Sequence, residues 1–220
     1  MSDLPRRTVT AVVYGAIVLA AVRGPSELFV LVVVVIAALA TVELVRLRPA
    51  GFVSALELLL VAAGLAALVY LRFAPAPPPL GCGSDCMWGP LLMTILAVWT
   101  ADVVAYVVGS TVGRRRIVPR ISPGKTWEGT IAGFVAAGVV VILWSRPGLG
   151  VPLVSALIAV LIGPAAFAGD LLESWVKRRA GVKDSGTLLP GHGGILDRID
   201  SLVAAAPLVA LLIVFLGRMG

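Results

Sequence analysis

The sequence contains few charged residues. Only 14% of its 220 residues are Asp, Glu, Lys or Arg, whereas a soluble domain carries about 25% charged residues. A soluble globular protein is therefore excluded. Disorder is excluded as well, because a chain that is 59% apolar has no reason to remain solvated. The 24 glycines show no every-third-residue period, which excludes a collagen-like chain.

Cysteine and histidine are also scarce, with two cysteines and one histidine in the chain. Three residues separate Cys82 from Cys86, and two thiols alone make a poor zinc site. On an oxidising side of a membrane the pair would close a small disulfide, and elsewhere the thiols would stay free. We interpret the two cysteines as a loop feature and not as a metal centre.

Long apolar runs dominate the sequence. A helix needs about 20 apolar residues to cross the hydrocarbon layer of a bilayer. Seven runs approach that length, namely Thr8–Val22, Leu28–Val45, Phe52–Leu71, Trp88–Val108, Gly129–Trp144, Val151–Gly169 and Ile199–Leu216. They predict an all-α, polytopic membrane bundle of about seven transmembrane helices. The first run also resembles the core of a signal peptide, but Leu19–Val22 is a poor cleavage site, which favours a retained anchor.

The distribution of positive charge predicts the orientation. A net charge of +6 suits a nucleic-acid partner, but basic residues beside membrane spans are the commoner cause, and we expect no nucleic acid. With a cytoplasmic N-terminus, 14 of the 18 Lys and Arg residues fall inside. The four outside are Arg23, Arg72, Arg146 and Arg218. The same assignment predicts cytoplasmic loops at 109–128 and 170–198.

Acidic and basic side chains concentrate in the second of these loops. Asp170, Glu173 and Lys177 recur at a helical spacing that places them on one face, and Asp197 shares a face with Asp200. This balance of charge suggests a site that holds both a metal ion and a polyanion. Because Mg²⁺ takes one or two carboxylates and completes its shell with water and phosphate oxygens, Asp170 and Asp197 are the predicted ligands.

A glycine-rich stretch, Leu189-Pro190-Gly191-His192-Gly193-Gly194, lies between these carboxylates. Glycines permit backbone conformations that let N–H groups approach a phosphate, and the helix that follows adds a favourable dipole. His192, Gly193 and Gly194 are therefore candidate substrate contacts. His192 is equally well explained as a structural turn residue.

The loop at 109–128 contains a second candidate anion site. Gly124-Lys125-Thr126 resembles the end of a Walker A loop, but the first glycine of that motif would fall at Pro119 and we expect no strand before it, so this is not a P-loop. Ser122, Lys125 and Thr126 still offer hydroxyls and a cation before a helix start. The three arginines at 114–116 are better explained by topology or anionic lipid.

Three further positions stand out inside the apolar runs. Asp102 lies within the fourth run, and an ionisable residue at that depth suggests function. Glu43 lies near the cytoplasmic end of its run beside Arg46 and Arg48 and is interpreted as an interfacial ion pair. Gly129, Gly133 and Ala137 form a stripe of small residues that predicts helix packing and not a site.

The stretch from Ser174 to Asp200 resembles the signature of the phosphatidate cytidylyltransferases, also called CDP-diacylglycerol synthases. Residues 102–109, 122–129 and 169–173 resemble that family too. The matching positions of the signature are Ser174, Lys177, Arg178, Lys183, Asp184, Gly186, Pro190, His192, Gly193, Gly194, Asp197, Arg198 and Asp200. The first 90 residues resemble the family only as apolar helices, with Glu43 as an exception. We therefore separate N-terminal helices (1–90) from a catalytic membrane domain (91–220).

The resemblance implies a homodimeric enzyme of the inner or plasma membrane that converts CTP and phosphatidic acid to CDP-diacylglycerol and pyrophosphate on the cytoplasmic side, with Mg²⁺. It implies that Asp170, Asp197, Lys177 and Arg198 are catalytic. The implied substrate-binding residues are Ser122, Lys125, Thr126, Arg178, Lys183, Asp184, His192, Gly193, Gly194, Asp200 and Asp102.

Two alternatives remain open at the level of sequence. One is a related CTP-dependent enzyme that acts on another lipid phosphate, such as an archaeal-type ether lipid, because the charged loops would bind the nucleotide and not the lipid tails. The other is a transporter with Asp102 as its ion site, which would require spans broken near the midplane.

Overall fold

The computed structural model describes residues 4–47, 51–74, 89–145, 153–186 and 193–216. These residues form seven α-helices and one short β-hairpin. The helices are α1 (Leu4–Arg23), α2 (Ser26–Leu47), α3 (Gly51–Phe73), α4 (Gly89–Thr111), α5 (Trp127–Trp144), α6 (Leu153–Arg179) and α7 (Leu196–Leu216), and the strands are β1 (Arg116–Val118) and β2 (Ser122–Thr126).

Six of these helices, α2 to α7, are long and apolar enough to cross a membrane. Helices suit that environment because each satisfies its own backbone hydrogen bonds where no water is present. Within the described residues, α1 offers only a shorter apolar segment, Val12–Arg23. The prediction of an all-α, multi-pass membrane protein is confirmed, and each predicted apolar run corresponds to one helix.

Helices α4 and α5 cross closely because small residues face the junction. A Cβ atom added to Gly129 would lie 2.5 Å from the carbonyl oxygen of Ala105, and one added to Gly133 would lie 2.8 Å from that of Ala101. The later residue of α5, Gly133, thus contacts the earlier residue of α4, Ala101, which shows that the two helices are antiparallel. Ala137 is fully buried. The predicted packing stripe is therefore confirmed.

Helices α6 and α7 continue the antiparallel order. A Cβ atom on Gly163 of α6 would lie 2.8 Å from the Phe134 ring on α5, and one on Gly169 would lie 2.4 Å from the carbonyl oxygen of Asp200 on α7. The end of α4, the start of α5, the end of α6 and the start of α7 thus meet at one end of the bundle. Most of the residues that the sequence predicts for the site lie at this end.

The first three helices share a core with the last four. Gly64 of α3 approaches α7 so closely that a Cβ atom there would lie 2.3 Å from the Cβ of Val203. Ala21, Leu65, Val98 and Val209 all belong to one buried apolar cluster. The two predicted parts of the chain, 1–90 and 91–220, therefore pack together around a common core.

The two predicted loops contain more regular structure than we expected. Strands β1 and β2 pair antiparallel, with Arg116 opposite Thr126, so the expectation that no strand precedes Gly124 is wrong. The P-loop remains excluded because Pro119 occupies the position of the first glycine. The segment 170–198 is helical at both ends, since α6 runs to Arg179 and α7 begins at Leu196. At 27 residues, α6 is about 40 Å long, which exceeds the ~30 Å hydrocarbon layer.

Candidate active site

A cavity of about 660 Å³ opens at the polar end of the bundle. Its lining comes from α4, the hairpin, α5, α6, the segment after α6, and α7. Ten of the predicted site residues line it: Asp102, Ser122, Lys125, Thr126, Asp170, Lys177, Asp184, Asp197, Arg198 and Asp200. Residues up to 98 positions apart in sequence thus meet in one place because the four helix ends converge.

An ion pair joins the hairpin to α6. The Lys125 ammonium donates to Oδ2 of Asp170, and the hydroxyl of Ser174 donates to Oδ1 of the same carboxylate over 3.3 Å. The Lys125 nitrogen also lies 4.8 Å from the centroid of the Phe167 ring, within the range of a cation–π contact. The hairpin therefore delivers a cation to the carboxylate that the sequence predicts as a metal ligand.

A second lysine joins α6 to α7. Lys177 is buried, and its ammonium donates to Oε2 of Glu173 over 2.8 Å and to Oδ1 of Asp197. Oε1 of Glu173 is buried with no hydrogen-bond partner. The Lys177 ammonium fixes the relative position of α6 and α7, because separating the two helices would leave a buried charge without its partner.

Asp197 is held by a dense set of donors. Its Oδ2 accepts from the backbone N–H of Ser185 over 3.0 Å, from the Ser185 hydroxyl over 3.0 Å and from the N–H of Gly194 over 2.8 Å. Oδ2 is therefore fully occupied by the chain itself. Gly193 has a φ of +80°, a left-handed conformation that favours glycine. A Cβ atom there would also lie 2.5 Å from Oδ2 of Asp197.

Several predicted substrate contacts lie outside the cavity lining. Gly193 and Gly194 shape the surroundings of Asp197 instead. Arg178 is exposed, and it donates from Nε to the carbonyl of Ile121 over 3.2 Å and from a terminal nitrogen to that of Val182 over 2.8 Å. It thereby links the hairpin turn to the segment after α6. Lys183 is exposed, and His192 lies outside the described residues.

The hairpin has its own anchors at the start of α5. The Thr126 hydroxyl accepts from the N–H of Gly129 over 3.2 Å and caps the helix. Oε2 of Glu128 accepts from the backbone N–H groups of Arg114 over 3.1 Å and Arg115 over 3.3 Å. These contacts fix both strands to α5 and so hold Ser122 and Lys125 at the cavity.

Farther from the polar end of the helices the lining is mainly apolar, and Asp102 of α4 lies among these residues. Ala101 and Ala105 of α4, Phe134 of α5, and Ala166 and Phe167 of α6 line this part. Phe134 and Phe167 meet edge to face at 5.9 Å between centroids. The cavity therefore joins a charged mouth to a largely apolar interior that also contains Asp102, an arrangement that suits a ligand with a polar head and an apolar tail.

Sequence reasoning missed several residues of this site. Ser110, Thr130 and Ser201 line the cavity, and no local pattern distinguishes them from other helix residues. The sequence predicts an interfacial ion pair between Glu43 and the nearby arginines, but among the described residues its carboxylate has other partners. Its side chain is 4% exposed and contacts the segment around Ser185 and the start of α7. A carboxylate in an apolar run was the signal that pointed to it.

The balance of charge bears on the predicted Mg²⁺. The described lining contains three basic and five acidic side chains, so a polyanion that enters needs additional positive charge. Among the residues that the structure describes, no three His, Cys, Asp or Glu side chains are grouped closely enough to hold a metal by themselves. A Mg²⁺ ion that draws further ligands from water and phosphate fits such a set of oxygen donors.

Comparison with known proteins identifies the family. The cytidylyltransferase family model matches residues 83–216, more than half of the chain. The phosphatidate cytidylyltransferase of Brucella abortus is 47% identical over 126 residues, which cover 55% of this chain and 45% of the relative. Those of Pseudomonas aeruginosa (45% over 130 residues, 57% and 47%) and Synechocystis (49% over 131 residues, 57% and 44%) are similar as well. The matched region thus spans about half the length of these relatives. From these matches, the chain belongs to the cytidylyltransferase family.

Proposed function

We propose that the protein transfers the cytidylyl group of CTP to phosphatidic acid, giving CDP-diacylglycerol and pyrophosphate. A phosphate oxygen of the lipid attacks the α-phosphorus of CTP, a new P–O bond forms, and the bond to the β-phosphate oxygen breaks to release pyrophosphate. No general base is needed, because the lipid phosphate has already lost its first proton at pH 7. The names of the similar proteins support this choice of reaction.

The observation that carries the proposal is the cavity in which charged side chains at the polar end of the bundle adjoin largely apolar surface. Lys125, Lys177 and Arg198 at the mouth provide cations for phosphate groups. Phe134 and Phe167 provide apolar surface beneath them, where the first carbons of a lipid would be shielded from water. A nucleotide and a lipid phosphate can therefore meet at one place, and holding two reactants together supplies much of the catalytic effect.

The residues of the site would act mainly through position and charge. Lys125 and Lys177 already face carboxylates, so their ammonium groups are held in place and need little reorganisation when phosphate arrives. Fixed charges of this kind stabilise the negative charge that develops in the transition state. We assign Arg198 to the same role. Ser122 and Thr126 would donate to phosphate oxygens from the hairpin.

Mg²⁺ would be held by Asp170 and Asp197. When bound, it would neutralise phosphate charge and polarise the reacting phosphorus. Asp170 is the more accessible of the two, because one of its oxygens contacts only the Ser174 hydroxyl, whereas Oδ2 of Asp197 has three donors. We propose that Asp102, Asp184 and Asp200 support substrate binding from the same cavity.

We further propose the cell's inner or plasma membrane as the location, with the cavity on the cytoplasmic side, and a homodimer as the assembly. The excess of Lys and Arg on one side of the spans supports the orientation, and CTP is available on that side. The homodimer rests on the family resemblance.

Conversion of labelled CTP by the purified protein tests the reaction. Mixed micelles would contain phosphatidic acid, an archaeal-type ether-lipid phosphate, or no lipid phosphate, each with and without Mg²⁺. We expect Mg²⁺-dependent CDP-lipid and pyrophosphate with phosphatidic acid. A preference for the ether-lipid phosphate would show that phosphatidic acid is not the substrate, and the proposed type of reaction would stand. No product with any lipid from folded protein would contradict the proposal, and ion flux without CTP consumption would favour transport.

A further inference from the structure

Glu43 connects a distant helix to the active site. It lies in α2 and is buried, and its carboxylate has three donors within hydrogen-bond distance, of which the Ser185 hydroxyl is shared with Asp197. Oε1 accepts from the N–H of Ile195 over 2.9 Å, and Oε2 accepts from the N–H of Leu196 over 3.0 Å and from the Ser185 hydroxyl over 3.1 Å. The first N–H groups of a helix have no partner within it. Glu43 therefore caps α7 from outside the helix, where a carboxylate also faces the positive end of the dipole.

The Ser185 hydroxyl links Glu43 to Asp197. It lies 3.1 Å from Oε2 of Glu43 and 3.0 Å from Oδ2 of Asp197. A hydroxyl has only one proton to donate, so its orientation depends on both carboxylates at once. A shift of Glu43 would therefore change the hydrogen bonds of Asp197. Asp197 is the second residue of α7 and lines the cavity.

Two glycines make this approach possible. A Cβ atom on Gly194 would lie 2.4 Å from Oε2 of Glu43, and one on Gly186 would lie 2.8 Å from Oε1. Both distances are shorter than any side chain tolerates, so a larger residue would push the carboxylate away. Gly186 and Gly194 thus allow the backbone at these two positions to lie close to the Glu43 carboxylate.

We propose that Glu43 is a positioning residue of the active site. Through Ser185 and the first turn of α7 it fixes Asp197, so that Oδ2 is held by the chain and Oδ1, which contacts Lys177, is the oxygen left to contribute to a bound Mg²⁺. Glu43 does not line the cavity and lies outside the residues that the family model matches. Its effect on catalysis rests on the proposed cytidylyl transfer, whereas its hold on α7 does not.

The test compares Glu43→Gln, Ser185→Ala and the double variant. Gln preserves the size of Glu43, but its amide nitrogen must face at least one of the donors. We expect kcat to fall roughly 10- to 100-fold in Glu43→Gln, since small misplacements of reacting groups cost about that much. The kcat of the double variant should be little lower than that of the less active single variant, because both substitutions interrupt the same chain of contacts. Glu27→Gln, the same substitution at an exposed position of α2, should retain the wild-type kcat.

Hydrogen exchange of the same proteins separates this proposal from the proposed reaction. We expect the Ile195 and Leu196 amides to exchange at least about tenfold faster in Glu43→Gln than in the wild type or Glu27→Gln, as expected when a protecting bond is lost. Hydrogen exchange can be measured without enzymatic activity. An inactive wild-type protein would therefore contradict the proposed reaction but not the proposed contact of Glu43 with α7. Unchanged exchange at these amides, or additive losses of kcat in an active enzyme, would overturn the role of Glu43.

Discussion

At the scale of single residues, the site depends on lysines that are paired before any substrate is bound. Lys125 and Lys177 each contact a carboxylate from another element. The sequence identified both lysines and their partners Asp170 and Asp197 as site residues. It did not indicate which lysine pairs with which carboxylate, because each pair joins segments that are distant in sequence.

Lys125→Met tests the cation that the hairpin delivers. Met retains much of the side-chain length but removes the charge, and loss of one donor to a transition-state oxyanion typically costs about 10²- to 10³-fold in kcat. We expect a loss of that size. Lys183→Met provides the comparison, and because Lys183 is exposed and outside the cavity lining, we expect a much smaller loss. Equal losses in steady-state assays would contradict the assignment of Lys125.

Asp170→Asn and Asp197→Asn should both abolish the proposed activity but differ in stability. In Asp197→Asn the buried ion pair with Lys177 is lost, and the new amide nitrogen must face either Lys177 or the donors around Oδ2, so we expect about 2–4 kcal/mol of destabilisation. Asp170 is more exposed, and its replacement should cost less than about 1 kcal/mol. Thermal unfolding of both proteins in detergent measures the difference. Equal destabilisation would show that the contacts of Asp197 contribute little.

At the scale of elements, close helix crossings set the shape of the cavity. The apolar runs predicted seven helices, and the small-residue stripe predicted where α5 would pack. The hairpin was not predicted, because its strands are three and five residues long and carry the polar sequence of a loop. Its pairing is stabilised by contacts with α5 that the local sequence does not reveal.

Gly129→Ala tests the crossing of α4 and α5. The new methyl would lie 2.5 Å from the Ala105 carbonyl and 2.9 Å from the Gly109 Cα, so the helices must separate. Overpacking of this kind costs about 1–3 kcal/mol. Gly124→Ala is the matched control, because nothing lies within 4 Å of a Cβ atom there. A melting temperature that is unchanged in Gly129→Ala would contradict the close approach.

At the scale of the whole molecule, the charge distribution and the helix order make the same prediction. Helices α4 to α7 are successively antiparallel, and the cavity lies at the end that the basic residues predict to be cytoplasmic. The same charge distribution predicts that Cys82 and Cys86, which lie outside the described residues, are on the opposite side. Composition establishes the membrane helices and predicts the sidedness, whereas the shared core of α3 and α7 depends on tertiary packing.

Labelling with a membrane-impermeant maleimide tests the orientation. In intact spheroplasts treated with a reductant, we expect Cys82 and Cys86 to react from outside. A second variant lacks both of these cysteines and carries Arg120→Cys, at an exposed position in the hairpin turn. Its single thiol should react only after the membrane is opened. Labelling of Arg120→Cys in intact spheroplasts would reverse the orientation.

The sequence by itself determined the class of protein, its helices and most of the charged residues of the site, because hydrophobic length and local charge act over neighbouring residues. Only the tertiary structure decided which of these residues share the cavity. It placed Arg178 and Lys183 outside the lining and brought Glu43 to the start of α7, 153 residues away. The physical reason is that a buried carboxylate must find hydrogen-bond donors wherever the packed helices supply them, and sequence distance does not limit that choice.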